Sequence, residues 1–145
     1  MRVLVQVVNR ASLSVSGKEI SSIRYGFVVY VGFTHTDSKE VIIKAAKKVA
    51  RLRIFPDTNN RTNLNIEDVE GEILSVSQFT LYADATEANR PSFSCCMAGD
   101  LARDLYNDFN EELRKYNIVV KEGVFGADMQ INQENSGPFS ITLEF

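Results

Sequence analysis

FVVYVGFTH, residues 27–35, is a near-continuous run of β-branched and aromatic side chains broken at Gly32. A strand with one wet face alternates apolar and polar residues, whereas a strand covered on both faces does not. The run is therefore read as a strand buried on both sides, around which the rest must be layered. Working backwards, RVLVQVV (2–8), ASLSVSG (11–17) and KEISSIRYG (18–26) have the spacing of three further strands, the second closed by Gly17. Four strands in succession suggest a meander or barrel.

Working forwards, Asp37 or Ser38 supplies a helix N-cap, and KEVIIKAAKKVARLRIF places Val41, Ile42, Ala45, Val49 and Leu52 on one stripe, with the helix ending before Ile54 and Phe55. PDTNNRTN (56–63) is turn-rich, and VEGEILSVSQFTLYAD (69–84) resumes as a strand. A second helix follows in GDLARDLYNDFNEELRKYN (99–117), with Leu101, Leu105, Phe109 and Leu113 four apart and Asp100 as N-cap. IVVKEGVF is a strand. DMQINQE and PFSITLEF, separated by Asn135, Ser136 and Gly137, read as a terminal hairpin or near-hairpin. The fold class expected is α+β: a single domain spanning residues 1–145, a β-barrel or roll of curved, mostly antiparallel sheet with two main helices packed on one face. A doubly wound sheet is disfavoured, because strands and helices do not alternate.

Composition narrows the function. With 44% hydrophobic and 24% charged residues the chain is of ordinary globular type. Its net charge of −3 gives no global basic footprint, so any nucleic-acid contact must be local. No window approaches the ~18 uninterrupted apolar residues of a membrane span, and a cytoplasmic location with no membrane partner is expected. Adjacent Cys95 and Cys96 read as free thiols, and with the single His35 they leave a zinc site without its usual ligands, so no metal and no cofactor is expected. His35 in THTD reads as a turn-capping residue rather than a triad member. Gly-x-Ser-x-Gly, Walker and dinucleotide motifs are absent. Two polar-rich segments remain: SVSQFTLYAD (75–84) and NSGPFS (135–140).

At these segments the sequence resembles the D-aminoacyl-tRNA deacylases. NRAS (9–12), LRIF (52–55), SQFTLYAD (77–84), RPSF (90–93), FGADMQ (125–130) and NSGP (135–138) are similar to blocks of that family, in its order and spacing. The resemblance implies a homodimeric hydrolase that cleaves the ester of D-aminoacyl-tRNA, and glycyl-tRNA with it, as chiral proofreading in translation. It also implies site residues. The catalytic pocket would be formed by Ser77, Gln78, the backbone N–H of Phe79, and Thr80. The chiral gate would be Gly137 and Pro138, joined by a cis peptide bond and reaching across the dimer, with Ser140 as pocket wall. Such a pocket needs oxyanion stabilisation and a positioned water more than a strong nucleophile. Two departures stand out. Phe139 and Ser140 replace the family's usual valine and threonine. ADATEANRPSF carries Thr86, Glu87, Ala88 and Asn89 where the family commonly has a basic run; Arg2, Arg10, Arg51, Arg53, Lys47 and Lys48 are the cations that could compensate. The rival readings are a non-catalytic nucleic-acid-binding module on the same fold and a relative editing L-alanyl-tRNA.

Overall fold

The computed structural model describes residues 1–97 and 99–145. Its centre is β1 (Arg2–Val15), a strand of 14 residues with partners on both edges. One edge pairs antiparallel first with β3 (Gly26–Gly32) and then with β2 (Lys18–Ile23); the other pairs with β8 (Met129–Glu144) along its whole length. Beyond β3 the sheet continues through β6 (Glu72–Ser77) to β7 (Val119–Glu122), giving the order β2-β1-β3-β6-β7. β4 (Phe55–Pro56) and β5 (Thr62–Leu64) form a separate small hairpin. The sheet curls until β2 approaches β7, where the Ser21 hydroxyl donates to the Glu122 carbonyl at 2.6 Å. The result is a nearly closed, barrel-like mixed sheet.

β3 is covered on both sides, as its composition requires. Phe27, Val29 and Val31 belong to the larger core beneath the helices, and Val28 belongs to the smaller core inside the curl with Leu13, Leu74 and Val76. Both helices, α1 (Lys39–Ala50) and α2 (Gly99–Arg114), lie over the larger core. Each spans a crossover between parallel neighbours, β3 to β6 and β6 to β7. Crossovers of this length are what parallel pairing demands. Strand and helix therefore alternate in the middle of the chain, and the antiparallel pairings cluster on β1.

Four expectations are corrected. RVLVQVV and ASLSV are one strand, because polar Asn9 and Arg10 do not break it: both reach Glu134 on β8, at 2.9 and 3.0 Å. DMQINQE and PFSITLEF do not fold into a hairpin; they lie end to end along β1, whose length gives both a place on one edge. Asp100 lies inside the first turn of α2 rather than capping it. The buried stripe of α2 is Ala102, Tyr106, Phe109, Asn110 and Leu113, while Leu101 is 70% exposed. A ladder of residues four apart advances about 40° per step on a helix of 3.6 residues per turn, so Leu101 to Leu113 winds off the face that the core sees.

This assignment has a direct check. Phe109→Ala is expected to cost about 3–5 kcal/mol, the range for emptying a buried aromatic site. Leu101→Ala is expected to stay within about 0.5 kcal/mol. Urea denaturation midpoints at constant m-value separate the two.

Candidate active site

β3 and β6 run parallel and end side by side, with Val31 opposite Ser77. The ladder closes with the Gln78 N–H on the Val31 carbonyl at 2.7 Å. The sequence reading extends this strand to Asp84, but the chain instead turns sharply into a 3-10 turn, Phe79–Tyr82, because its partner strand stops at Gly32. Leu81 N–H donates to the Gln78 carbonyl at 3.2 Å and Ala83 N–H to that of Thr80 at 3.0 Å. Gly32 makes the turn possible. A Cβ there would lie 2.8 Å from the Gln78 carbonyl oxygen and 3.0 Å from the Leu81 Cβ. The first N–H groups of such a turn have no carbonyl within it to bond, and the leading one belongs to Phe79.

Several contacts hold this turn. The Cys96 thiol donates to the Phe79 carbonyl at 3.2 Å, and burial, then the neighbouring Cys95, pushes that thiol's pKa up, so Cys96 serves as a donor rather than a thiolate. Thr34 Oγ1 donates to the Cys95 carbonyl at 2.7 Å, and His35 Nε2 lies 3.1 Å from the Ser94 carbonyl. Asp84 and Ser92 exchange backbone bonds of 2.9 and 2.7 Å, which folds the intervening loop back. Phe79 and Phe93, 53% and 46% exposed, place their ring centroids 5.3 Å apart. On the other side, the Arg2 guanidinium donates to the Leu81 carbonyl at 3.0 Å and sits 4.5 Å over the Tyr82 ring.

Beneath the turn is a cavity of about 440 Å³, lined by Val31, Phe33 and Val76, by Ser77 to Phe79, and by Phe125 to Met129. That is within the size range of small-molecule sites. Among the described lining residues the sole ionisable side chain is Asp128. Ser77, Gln78 and Phe79 are thus brought together at the cavity. Thr80 is not among its lining residues; its hydroxyl accepts a hydrogen bond from the Gln78 amide. The sequence reading gives Phe125 to Met129 no place in the site, although FGADMQ is one of the blocks of resemblance; the structure puts them in the cavity lining. Their signal is topological: β7 runs parallel to β6, so residues after Glu122 emerge at the same end as those after Ser77.

Gly137, Pro138 and Ser140 lie elsewhere, and none lines this cavity. Between the pairs Gln6↔Ser140 and Val8↔Asn135, β8 carries extra residues, so Ser136 to Phe139 bulge out of the ladder. Gly137 has φ +112°, the Gly137–Pro138 bond is cis, and both residues are exposed. A chain of side chains ties both feet of this bulge to the sheet. Tyr30 donates to the Gln133 amide oxygen at 3.1 Å, and the Gln133 amide nitrogen donates to Gln6 at 2.9 Å and to Asn135 at 2.7 Å. Gln6 then donates to Ser140 Oγ at 3.1 Å. Among the described residues no three His, Cys, Asp or Glu side chains group as metal ligands, and no helix is long and apolar enough to cross a membrane.

Comparison with known proteins gives this geometry its context. Residues 4–144 match the family model described as D-Tyr-tRNA(Tyr) deacylase. The chain belongs to that family. It is 48% identical over 144 residues to a D-aminoacyl-tRNA deacylase of Lactobacillus acidophilus, covering 99% of each chain, and 46% identical with the same coverage to one of Lactobacillus gasseri. Among solved structures it is similar to the c-Myc DNA Unwinding Element Binding Protein, with TM-score 0.94, 38% identity, and coverage of 100% of this chain and 99% of the other. A structure described as a probable eukaryotic D-amino acid tRNA deacylase shares the fold at TM-score 0.86 and 20% identity, covering 98% and 97% of the two chains. The deacylase family model thus spans both the cavity and the bulge.

Two outcomes follow. Gly32→Ala is expected to push the 3-10 turn off β3 at about 1–3 kcal/mol, read as a lowered denaturation midpoint and shifted amide signals from Gln78 to Leu81. Burial, then Asp37, raises the Tyr82 phenol from 10.0 to about 12, against the lowering effect of Arg2. The unfolded chain therefore releases that proton first, and stability is lost as pH rises from near 10 towards about 12. In Tyr82→Phe that part of the alkaline loss disappears, which denaturation at stepped pH would reveal.

Proposed function

We propose that this chain hydrolyses the ester linking a D-amino acid, or glycine, to the end of tRNA, releasing the free amino acid and tRNA as chiral proofreading in the cytoplasm. The observation that carries this reading is the cavity at the ends of β3 and β6. It is lined by Ser77, Gln78 and Phe79, and the one ionisable side chain in its described lining is Asp128. An aminoacyl ester is an activated acyl group, so its hydrolysis needs an oxyanion donor and a held water rather than a covalent intermediate. Phe79 N–H, at the head of the 3-10 turn, is the donor in this scheme, with the Ser77 hydroxyl and the Gln78 amide, itself held by the Thr80 hydroxyl, orienting the bound end.

Residues 1–145 act in this proposal as one deacylase domain working as a homodimer. β8 pairs with β1 on one edge, and its bulge at Gly137 and Pro138 stands clear of its own protomer's cavity. In a twofold dimer it can reach the partner's cavity. Main-chain carbonyls there would meet the amino group of a D-substrate and collide with an L-side chain, sorting by hand without reading side-chain identity. Glycine, having no side chain, would pass. Ser140, held by Gln6, forms the wall behind the gate.

A second reading rests on one observation: the solved relative with TM-score 0.94 is named for binding a DNA unwinding element. A binding module with no chemistry would bind tRNA and leave the ester intact. The test is loss of ester from matched D-tyrosyl-, L-tyrosyl-, L-alanyl- and glycyl-tRNA. The deacylase reading expects D over L release by on the order of 100-fold or more. L-alanyl release would instead mark an L-alanine editor, and binding without release a non-catalytic module. Since main-chain groups carry the chemistry in this scheme, Ser77→Ala and Thr80→Ala are each expected to lower kcat/KM by less than ~10-fold, about 1.4 kcal/mol.

A further inference from the structure

Charge on this molecule is segregated by helix. α1 carries Lys39, Lys44, Lys47 and Lys48 against Glu40 alone, whereas α2 carries Asp100, Asp104, Asp108, Glu111 and Glu112 against Arg103 and Arg114. The cations of α2 and its end are neutralised: Arg103, Arg114 and Lys115 each lie within ion-pair distance of a carboxylate three residues before them. Among the described residues none of Lys44, Lys47, Lys48 or Arg51 has such a partner. These four line one open groove of about 470 Å³ between α1 and the end of β8. An exposed helix lysine is ordinarily a solvated residue. Four cations in one groove, on a chain of net charge −3, concentrate positive potential at one place on the surface.

The groove is also joined to the candidate active site. Glu144 lines it and pairs with Arg2 at 3.2 Å, and Arg2 donates to the Leu81 carbonyl of the 3-10 turn. Two side chains thus separate the groove from the turn that bounds the ester cavity. The row from Lys44 to Arg51 runs about 10 Å along the helix at ~1.5 Å per residue, long enough to face several successive phosphates. The loop between Asp84 and Phe93 offers Arg90 as its one cation and cannot supply this contact itself.

We infer that the groove of Lys44, Lys47, Lys48 and Arg51 seats the phosphate backbone of the tRNA whose esterified end occupies the cavity. This rests on the deacylase reading for the identity of the polyanion, and its first readout, binding of uncharged tRNA, is independent of hydrolysis. Binding of uncharged tRNA is measured by fluorescence anisotropy across a salt series, for the wild type and for Lys44→Gln/Lys47→Gln/Lys48→Gln, which leaves Arg51 on the Tyr116 ring. Losing three phosphate contacts should flatten the log Kd against log salt slope by about 2 to 3 and weaken binding at low salt by more than ~10-fold. D-tyrosyl-adenosine, which carries no backbone phosphates, should be hydrolysed by both proteins at the same rate, whereas the KM for D-tyrosyl-tRNA should rise with kcat unchanged.

An unchanged salt slope overturns the inference whether or not the wild type is a deacylase. So does an equal loss on D-tyrosyl-adenosine, which would mean that the lysines support the fold or the cavity. Vesicles containing phosphatidylserine, captured by the wild type but not the triple variant while the tRNA slope stays the same, would assign the groove to a membrane surface and equally overturn it. Should the wild type hydrolyse neither substrate while the slope still flattens, the groove stands and the deacylase reading falls.

Discussion

The parallel pairing of β3 with β6 is the constraint on which the rest depends. β3 is buried on both faces, by the helices on one side and the curl of the sheet on the other, so a one-residue slip would drive Phe27, Val29 and Val31 into the smaller core and Val28 into the larger one, unpacking both. Its last residue, Gly32, fixes where β6 loses its partner. The chain must turn there, and the missing Cβ lets it turn tightly enough to leave Ser77, Gln78 and Phe79 together at the cavity. Strand burial, turn and cavity are consequences of one placement.

Around that frame the protein uses backbone and neutral groups where many hydrolases use ionisable side chains. Cys96 is kept as a thiol donor, His35 is spent on a loop carbonyl, and the two feet of the Gly137 bulge are anchored by amides and hydroxyls from Tyr30, Gln133 and Gln6. Neutral anchors hold geometry without changing charge between pH 5 and 8, whereas imidazole groups titrate in that window. That suits a site whose proposed discrimination is one of shape. The surfaces proposed for function are also separated: the cavity at the ends of β3 and β6, the bulge on β8, and the cationic groove beside α1.

Much of this was legible in the sequence because the signals were local. FVVYVGF is continuous rather than alternating, and KEVIIKAAKKVA has one apolar stripe, so the doubly covered strand and α1 follow from period and composition alone. What was not legible depended on partners. Asn9 and Arg10 look like a break until Glu134 is placed opposite them, and Asn135-Ser136-Gly137 looks like a hairpin turn until β1 offers one long edge to both flanking segments. SVSQFTLYAD has strand composition to its end, and the turn within it is set by Gly32, some 45 residues earlier. The site divides the same way. Ser77, Gln78 and Phe79 are nominated by the family resemblance and do meet at one cavity, but that Phe125 to Met129 line the same cavity follows only from the β6–β7 pairing.

The account is tested most directly by a crystal structure of the protein with a non-hydrolysable D-tyrosyl-adenosine analogue in which an amide replaces the ester. It predicts the acyl oxygen within hydrogen-bond distance of the Phe79 N–H, and the amino group against the Gly137–Pro138 carbonyls of a second subunit. A ligand bound away from the 3-10 turn, or a filled cavity with no second subunit near it, would contradict it.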